Sequence, residues 1–201
     1  GNENITFDDR LDIDEVGETE VYTLGNLTIS KGAASLVYST FESQTLLVAD
    51  RVISGQFNSV PVVNINAVSG FLNSTTIVGG LNRGSTVNVG NGSLNNIAGT
   101  LNLHNSTSVV LNDSTFATAR TYTLTMAGMT SPRPINYINC NAMTLNAGTA
   151  SDAVSVHGLP ANMPLVVNAG NGNDTLTLGG GDISANLASA VTLNGGGGSN
   201  E

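Results

Sequence analysis

The chain has 201 residues, of which 40% are hydrophobic and only 10% are charged, and its formal net charge is −9. The negative charge argues against nucleic acid as a partner and against anionic membrane surfaces, because both require a basic footprint. The polar residues are mostly Asn, Thr, Ser and Gly, and Lys31 is the only lysine. This mixture disfavours helices and favours strands and turns, so the predicted fold class is all-β.

The first twenty residues carry much of the negative charge. Eight of the fifteen acidic residues lie in this stretch, namely Glu3, Asp8, Asp9, Asp12, Asp14, Glu15, Glu18 and Glu20. Their spacing does not match an EF-hand loop. The stretch is therefore interpreted as a solvated acidic edge or cap of the fold, with a cation-binding edge as the alternative.

Short segments that alternate apolar and polar residues follow along the chain, bounded by Gly, Asn or Asp. They are VYTLG at 21–25, TVNV at 86–89, LNL at 101–103, TYTLT at 121–125, VSV at 154–156, LVV at 165–167 and TLTL at 175–178. Alternation over so few residues predicts short strands with one buried face.

Residues 126–137, MAGMTSPRPINY, interrupt this pattern with two prolines. They are predicted to form a longer loop that leaves the fold. Such a loop is either purely structural or a place of recognition, and the sequence leaves both interpretations open.

The second half of the chain contains a repeat without gaps. MTLNAGTASDAVSV at 143–156 aligns with LVVNAGNGNDTLTL at 165–178 at an offset of 22 residues, and a degenerate copy, VTLNGGGGSNE at 191–201, follows at an offset of 26. The pairs Asn146/Asn168 and Asp152/Asp174 are identical. A longer period of about 90 to 100 residues relates VYTLG to TYTLT and TVNVG to TLTLG.

Equivalent residues at a constant offset must stack in successive turns of a solenoid. The prediction is a right-handed parallel β-helix with coils of about 22 residues, in which Asn146, Asn168 and Asn194 form a hydrogen-bonded ladder. Residues 1–201 are expected to be a single β-helix domain with two approximate long units, 1–100 and 101–201. The opening GNENITFDD is what should follow the closing GGGGSNE, so the chain is expected to be a fragment of a longer repeat array.

Three stretches carry a resemblance to a known class of protein. TVNVGNGSLNNIAGTLNL, TYTLT followed by MTLNAGTASDAVSV, and LVVNAGNGNDTLTLGGGD resemble the long tandem repeats of very large secreted and cell-surface bacterial proteins. The resemblance is clear for residues 80–201 and weaker for 1–79. It implies an extracellular or cell-surface location and a β-helical stalk or adhesin-like role, with the rest of the parent repeat protein as a partner.

A second resemblance concerns calcium. AGNGNDTLT at 169–177 and AGTASDAVS at 147–155 are degenerate forms of the repeats-in-toxin nonapeptide G-G-x-G-x-D-x-U-x, which binds calcium. Stacked about 5 Å apart, the carboxylates of Asp152 and Asp174 would repel each other unless a cation or water intervened. The resemblance implies calcium at Asp152 and Asp174, while the residues themselves favour a plain structural turn.

Catalytic residues are not evident in the sequence. His104 and His157 are isolated, and Cys140 alternates with Asn in a pattern typical of a buried residue. Asp50, Asp152 and Asp174 occupy equivalent repeat positions, which is typical of turn residues rather than of a catalytic pair. The predicted function is a non-enzymatic structural or adhesin-like segment. The alternatives are a β-helix that binds or cleaves carbohydrate and an adhesin that binds a surface protein through residues 126–134.

The sequence contains no run of apolar residues long enough for a transmembrane helix. Insertion into a membrane is therefore not expected.

Overall fold

The computed structural model describes residues 3–10, 19–48, 60–80 and 84–201. Asp50 and four residues of the acidic stretch, Asp12, Asp14, Glu15 and Glu18, lie outside the described residues. The strands described are β1 (Asn4–Asp8), β2 (Val21–Gly25), β3 (Thr28–Lys31), β4 (Ala34–Val37), β5 (Ser43–Leu47), β6 (Val62–Ile65), β7 (Ser74–Val78), β8 (Thr86–Val89), β9 (Thr100–His104), β10 (Ser108–Asn112), β11 (Thr121–Thr125), β12 (Gly128–Ser131), β13 (Ile135–Ile138), β14 (Met143–Asn146), β15 (Ala153–Val156), β16 (Leu165–Asn168), β17 (Thr175–Leu178) and β18 (Val191–Asn194). Within the described ranges, helical structure consists of two 3-10 turns, Leu94–Asn96 and Gly179–Gly181, and the short helix α1 (Ile183–Asn186).

The strands form two nine-stranded sheets, which confirms the all-β prediction. The first sheet has the order β1-β5-β7-β9-β13-β12-β11-β15-β17, and the second has the order β18-β16-β14-β10-β8-β6-β2-β3-β4. Outside two antiparallel meanders, strands that follow one another in the chain lie in alternate sheets, and neighbours within a sheet run parallel.

The two meanders are β2-β3-β4 and β11-β12-β13. Residues 126–137 contain β12 and most of β13 of the second meander, so the prediction of a long loop there was wrong. Met129 and Ile135 are 1% and 0% exposed, and burying them holds the chain against the sheet. Pro132 and Pro134 lie in the connection between β12 and β13, where a missing N–H costs no ladder bond.

The register of the parallel strands matches the sequence repeat. Met143 pairs with Leu165 and Ala153 with Thr175, each at the predicted offset of 22, and Leu165 pairs with Val191 at 26. The predicted asparagine ladder is confirmed. Asn168 Nδ2 donates to Asn146 Oδ1, and Asn194 Nδ2 donates to Asn168 Oδ1, both at 2.7 Å.

The inward-facing residues of both sheets form one continuous apolar core. Cys140 lies in this core, as its sequence context predicts, and burial raises the pKa of its thiol. The core is completely covered in the middle of the sheets and partly open at their ends. Residues such as Val63, Val87, Leu111, Leu145 and Val167 are 0% exposed, whereas Leu36 and Leu193 are 47% and 41% exposed.

Leu145 and Leu193 allow a matched test of this stacking, because both are aligned with Val167 in the second sheet. Leu145→Ala is expected to lower the free energy of unfolding by about 2–5 kcal/mol, since it opens a cavity in a closed core. Leu193→Ala is expected to cost about half of that or less, since the cavity opens to solvent. Urea unfolding followed by circular dichroism measures both losses, and equal losses would contradict the assigned ladder.

Candidate functional site at the stacked turns

The candidate calcium residues lie in the turns that connect the two sheets. Asp152 precedes β15 and Asp174 precedes β17, and the two carboxylates are 2% and 1% exposed. The N–H of Asp152 donates to Asp174 Oδ1 at 2.8 Å, and the N–H of Asp174 donates to Asn200 Oδ1 at 2.9 Å. The N–H of Arg120 donates in the same way to Asp152 Oδ1 at 2.8 Å. Each side chain thus accepts the backbone N–H of the equivalent turn earlier in the chain.

This aspartate ladder leaves one carboxylate oxygen without a hydrogen-bond partner. Asp152 Oδ2 accepts the N–H of Gly148 at 2.9 Å, whereas Asp174 Oδ2 is buried and has no partner in the structure. Burial raises the pKa of Asp152, although its two backbone donors act in the opposite direction. The carboxylate of Asp174 adds to the increase, because two close negative charges disfavour each other.

The fit of calcium to these residues depends on the oxygens that remain available. Calcium takes six to eight oxygen ligands, and three of the four carboxylate oxygens here already accept N–H groups. The described residues contain no group of three or more His, Cys, Asp or Glu side chains that could hold a metal. The arrangement therefore fits a ladder that pairs backbone N–H groups better than it fits a calcium cage.

The glycines of the nonapeptide have a structural reason of their own. Gly170 and Gly172 have φ angles of 95° and 116°, a region that favours glycine. A Cβ on Gly170 would lie 2.0 Å from the carbonyl oxygen of Gly148, and one on Gly172 would lie 2.5 Å from that of Ala150. Close stacking of successive turns therefore requires glycine at both positions.

The sequence did not predict the buried charge cluster that lies next to the aspartate ladder. Asp113 is 0% exposed, and its Oδ1 accepts the N–H of Leu94 at 2.8 Å. Its Oδ2 accepts the Tyr122 hydroxyl at 2.8 Å and forms an ion pair with the guanidinium of Arg120. That guanidinium lies 3.5 Å from the centre of the Phe116 ring. The carboxylate thus joins the turn before β9 to the connection between β10 and β11 and to strand β11 itself.

An equivalent cluster lies at the other end of the molecule, around Asp9. The Tyr22 hydroxyl and Lys31 Nζ lie 2.6 Å and 2.7 Å from Asp9 Oδ2. Burial raises the pKa of both Tyr22 and Tyr122, so both phenols stay protonated and can donate. The only signal in the sequence was the recurring order of an aspartate and then a tyrosine that begins a strand.

Glu3, Asp8 and Asp9 of the acidic stretch lie on or next to β1, the terminal strand of the first sheet, and Glu20 precedes β2 of the second sheet. Asp8 is exposed, and its hydrogen bonds from Arg10 lower the pKa of its carboxyl to about 2. Glu20 and Asp9 both contact Lys31. Apart from Asp9 and Glu20, the described acids of this stretch are exposed, which agrees with an acidic edge.

The other candidate residues are dispersed. His104 ends β9, while His157 follows β15 and is exposed, so the two do not form a site. A groove of about 410 Å³ lies on the second sheet and is lined mainly by asparagines, namely Asn64, Asn66, Asn88, Asn91 and Asn112. Of the loop residues 126–134, Met126 is 55% exposed but Met129 is buried, so the stretch offers little apolar surface to a partner.

Comparison with known proteins finds no family model, no curated protein and no solved structure that matches the chain. The described residues include no helix long and apolar enough to cross a membrane. Because none of these comparisons finds a match, the resemblance to bacterial surface repeats stays a prediction from sequence.

Arg120→Ala is expected to lower the free energy of unfolding by about 3–5 kcal/mol, because it leaves the buried Asp113 carboxylate without its cation. Arg133→Ala is the matched control, since Arg133 makes only a 3.4 Å hydrogen bond to Asn95, and its cost should be about 0.5 kcal/mol or less. Guanidinium chloride unfolding measures both. Adding Asp113→Asn to Arg120→Ala should recover part of the loss, and similar effects of the two single arginine variants would contradict the role of the ion pair.

Asp174→Asn is expected to keep or raise stability at pH 7, by up to about 1 kcal/mol. The amide keeps the acceptor for the Asp152 N–H and removes the unpaired buried charge, and Asn200 occupies the equivalent position. Asp174→Ala should instead cost about 1–3 kcal/mol, because the Asp152 N–H loses its partner.

Thermal unfolding in EDTA and then in millimolar calcium separates the two interpretations of this turn. If the turn is only a structural ladder, the midpoint of each of the three proteins in calcium should equal its own midpoint in EDTA. A calcium-dependent rise in the wild type that both variants abolish would establish calcium at Asp174 instead.

Proposed function

We propose that the chain is a right-handed parallel β-helix that serves as a rigid structural segment of a longer extracellular or cell-surface repeat protein. The observation that carries this proposal is the in-register parallel pairing of equivalent residues, with consecutive strands placed in alternate sheets over one shared core. Parallel crossovers of this kind are right-handed in nearly all proteins.

The proposed mechanism is mechanical. Within each sheet, every internal strand pairs its backbone groups with the neighbouring strand on either side, so hydrogen bonds run along the long axis. The asparagine ladder and the aspartate ladder repeat this connection in the side chains. Nine strands at about 4.8 Å give a rod of roughly 40 Å.

The proposed organisation is a single domain with two long units near 1–100 and 101–201. The meanders support it, because Leu24 pairs with Ile29 in one and Leu124 pairs with Met129 in the other, 100 residues later. The aspartate–tyrosine clusters support it in the same way. The rest of the parent repeat protein is the proposed partner.

A carbohydrate-binding role is the second candidate, and the asparagine groove on the second sheet favours it. Amide groups both donate and accept hydrogen bonds, which suits sugar hydroxyls. The groove lining contains no carboxylate, so it supports binding rather than cleavage, which needs a pair of acids. The buried acids Asp113, Asp152 and Asp174 lie in turns and belong to the structural clusters.

A rigid segment is expected to hold its ends at one distance. Spin labels at Thr6→Cys and Thr177→Cys, in a Cys140→Ala background, would lie on the two terminal strands of the first sheet. Eight strand spacings predict a narrow distribution near roughly 38 Å, lengthened by the label arms. Pulsed electron double resonance measures it, and a broad distribution would contradict a rigid rod.

A titration tests the second candidate, the carbohydrate-binding role. Titration with neutral and acidic oligosaccharides, followed by NMR, should leave the resonances of the groove unchanged if the chain is only structural. Saturable shifts that Asn88→Ala removes would favour carbohydrate binding.

A further inference from the structure

The two ends of the molecule expose apolar residues whose equivalents inside the sheets are buried. One end is formed by β1 and β4, and the other by β17 and β18, each strand being terminal in its sheet. Ile183 at the second end is 61% exposed, yet Leu94, which also follows a capping residue of a helical turn, is 0% exposed. Leu36 at the first end is 47% exposed, whereas Ile135, which occupies the same place in the other meander, is 0% exposed.

The covered residues have in common that another strand lies over them. Within the chain, β8 pairs with β10 and β9 pairs with β13. The sequence offset of about 90 residues makes β17 equivalent to β8 and β18 equivalent to β9. The meanders make β4 equivalent to β13, and pairing with β5 and β14 makes β1 equivalent to β10. β1 is therefore equivalent to the strand that pairs with β8, and β8 is equivalent to β17. In the same way, β4 is equivalent to the strand that pairs with β9, and β9 is equivalent to β18.

We infer that the β17/β18 end is a docking surface for the β1/β4 end of a second copy of this repeat, with β17 pairing with β1 and β18 pairing with β4. This inference rests on the proposed β-helix. The internal pairs Val87 with Val109 and Val89 with Leu111 set the register of the first contact. By equivalence, Leu176 pairs with Ile5 and Leu178 pairs with Phe7.

The second contact follows from β9 and β13 in the same way. Leu101 pairs with Ile135 and Leu103 pairs with Tyr137 within the chain. Val191 of one copy then pairs with Leu36 of the next, and Leu193 pairs with Tyr38. Leu193, now 41% exposed, becomes as covered as Leu103, which is 0% exposed.

The backbone of Glu201 already occupies the beginning of the first contact. Its N–H donates to the carbonyl of Asp174 at 2.9 Å, and its own carbonyl accepts the N–H of Leu176 at 2.7 Å. These two bonds pair Glu201 with Thr175, as Ser108 pairs with the equivalent residue Thr86 within the chain. Glu201 thus occupies the place that Asn4 takes in the next copy. A second copy that begins at Ile5 directly after Glu201 continues in register, with Ile5 paired with Leu176.

A fusion protein built this way tests the inference with one substitution placed in either copy. Leu193→Ala in the first copy is expected to shift the urea unfolding midpoint as far as Leu145→Ala shifts it in the single chain. The same substitution in the second copy, whose β18 end stays open, should give only the small shift seen for Leu193→Ala in the single chain.

Small and equal shifts from the two copies would overturn the docking surface. The proposed β-helix would still hold after that result, provided that the single chain gives the narrow spin-label distance distribution. A broad spin-label distance would overturn the β-helix itself, and with it the basis of the docking surface.

Discussion

Parallel, in-register pairing of equivalent strands, outside the two antiparallel meanders, is the constraint on which the rest of the structure depends. Parallel strands in register place equivalent residues directly over one another. The apolar ladder Leu145, Val167, Leu193 and the asparagine ladder beside it are two results of this one rule. The carboxylates of Asp152 and Asp174 therefore each accept a backbone N–H from the equivalent turn earlier in the chain, and Asp152 also accepts the N–H of Gly148 in its own turn.

This constraint explains the low charge of the chain. A charged residue repeated in every turn would place like charges about 5 Å apart. The ladder at Asp152 and Asp174 reduces this cost, since backbone N–H groups solvate the carboxylates and Asn200 continues the series without a charge. Asp113 is stabilised differently, by the cation of Arg120 and the hydroxyl of Tyr122. Among the described residues, each buried acid accepts an N–H group from a neighbouring turn.

The sequence predicts the part of the fold that repeats closely. Identity at Asn146/Asn168 and Asp152/Asp174 fixed the alignment of β14 with β16 and of β15 with β17, and the structure has that register. The antiparallel return at residues 126–137 was not predictable, because it depends on burying Met129 among residues distant in the chain. The partners of Asp113 also come from different turns, and nothing in the local sequence marks a buried carboxylate.

The charges at the two ends of the molecule bear on how strand edges are kept apart. Open strand edges invite pairing with any similar edge. The β1/β4 end carries Glu3, Asp8, Asp9 and Glu20, with Lys31 and Arg10 offsetting only part of the charge. Two such ends facing each other would bring like charges together, which opposes pairing. The β17/β18 end carries Asp182 and Glu201, and residues 175–201 contain no lysine or arginine. Two β17/β18 ends would therefore also repel each other, so charge opposes pairing between like ends at both ends of the molecule.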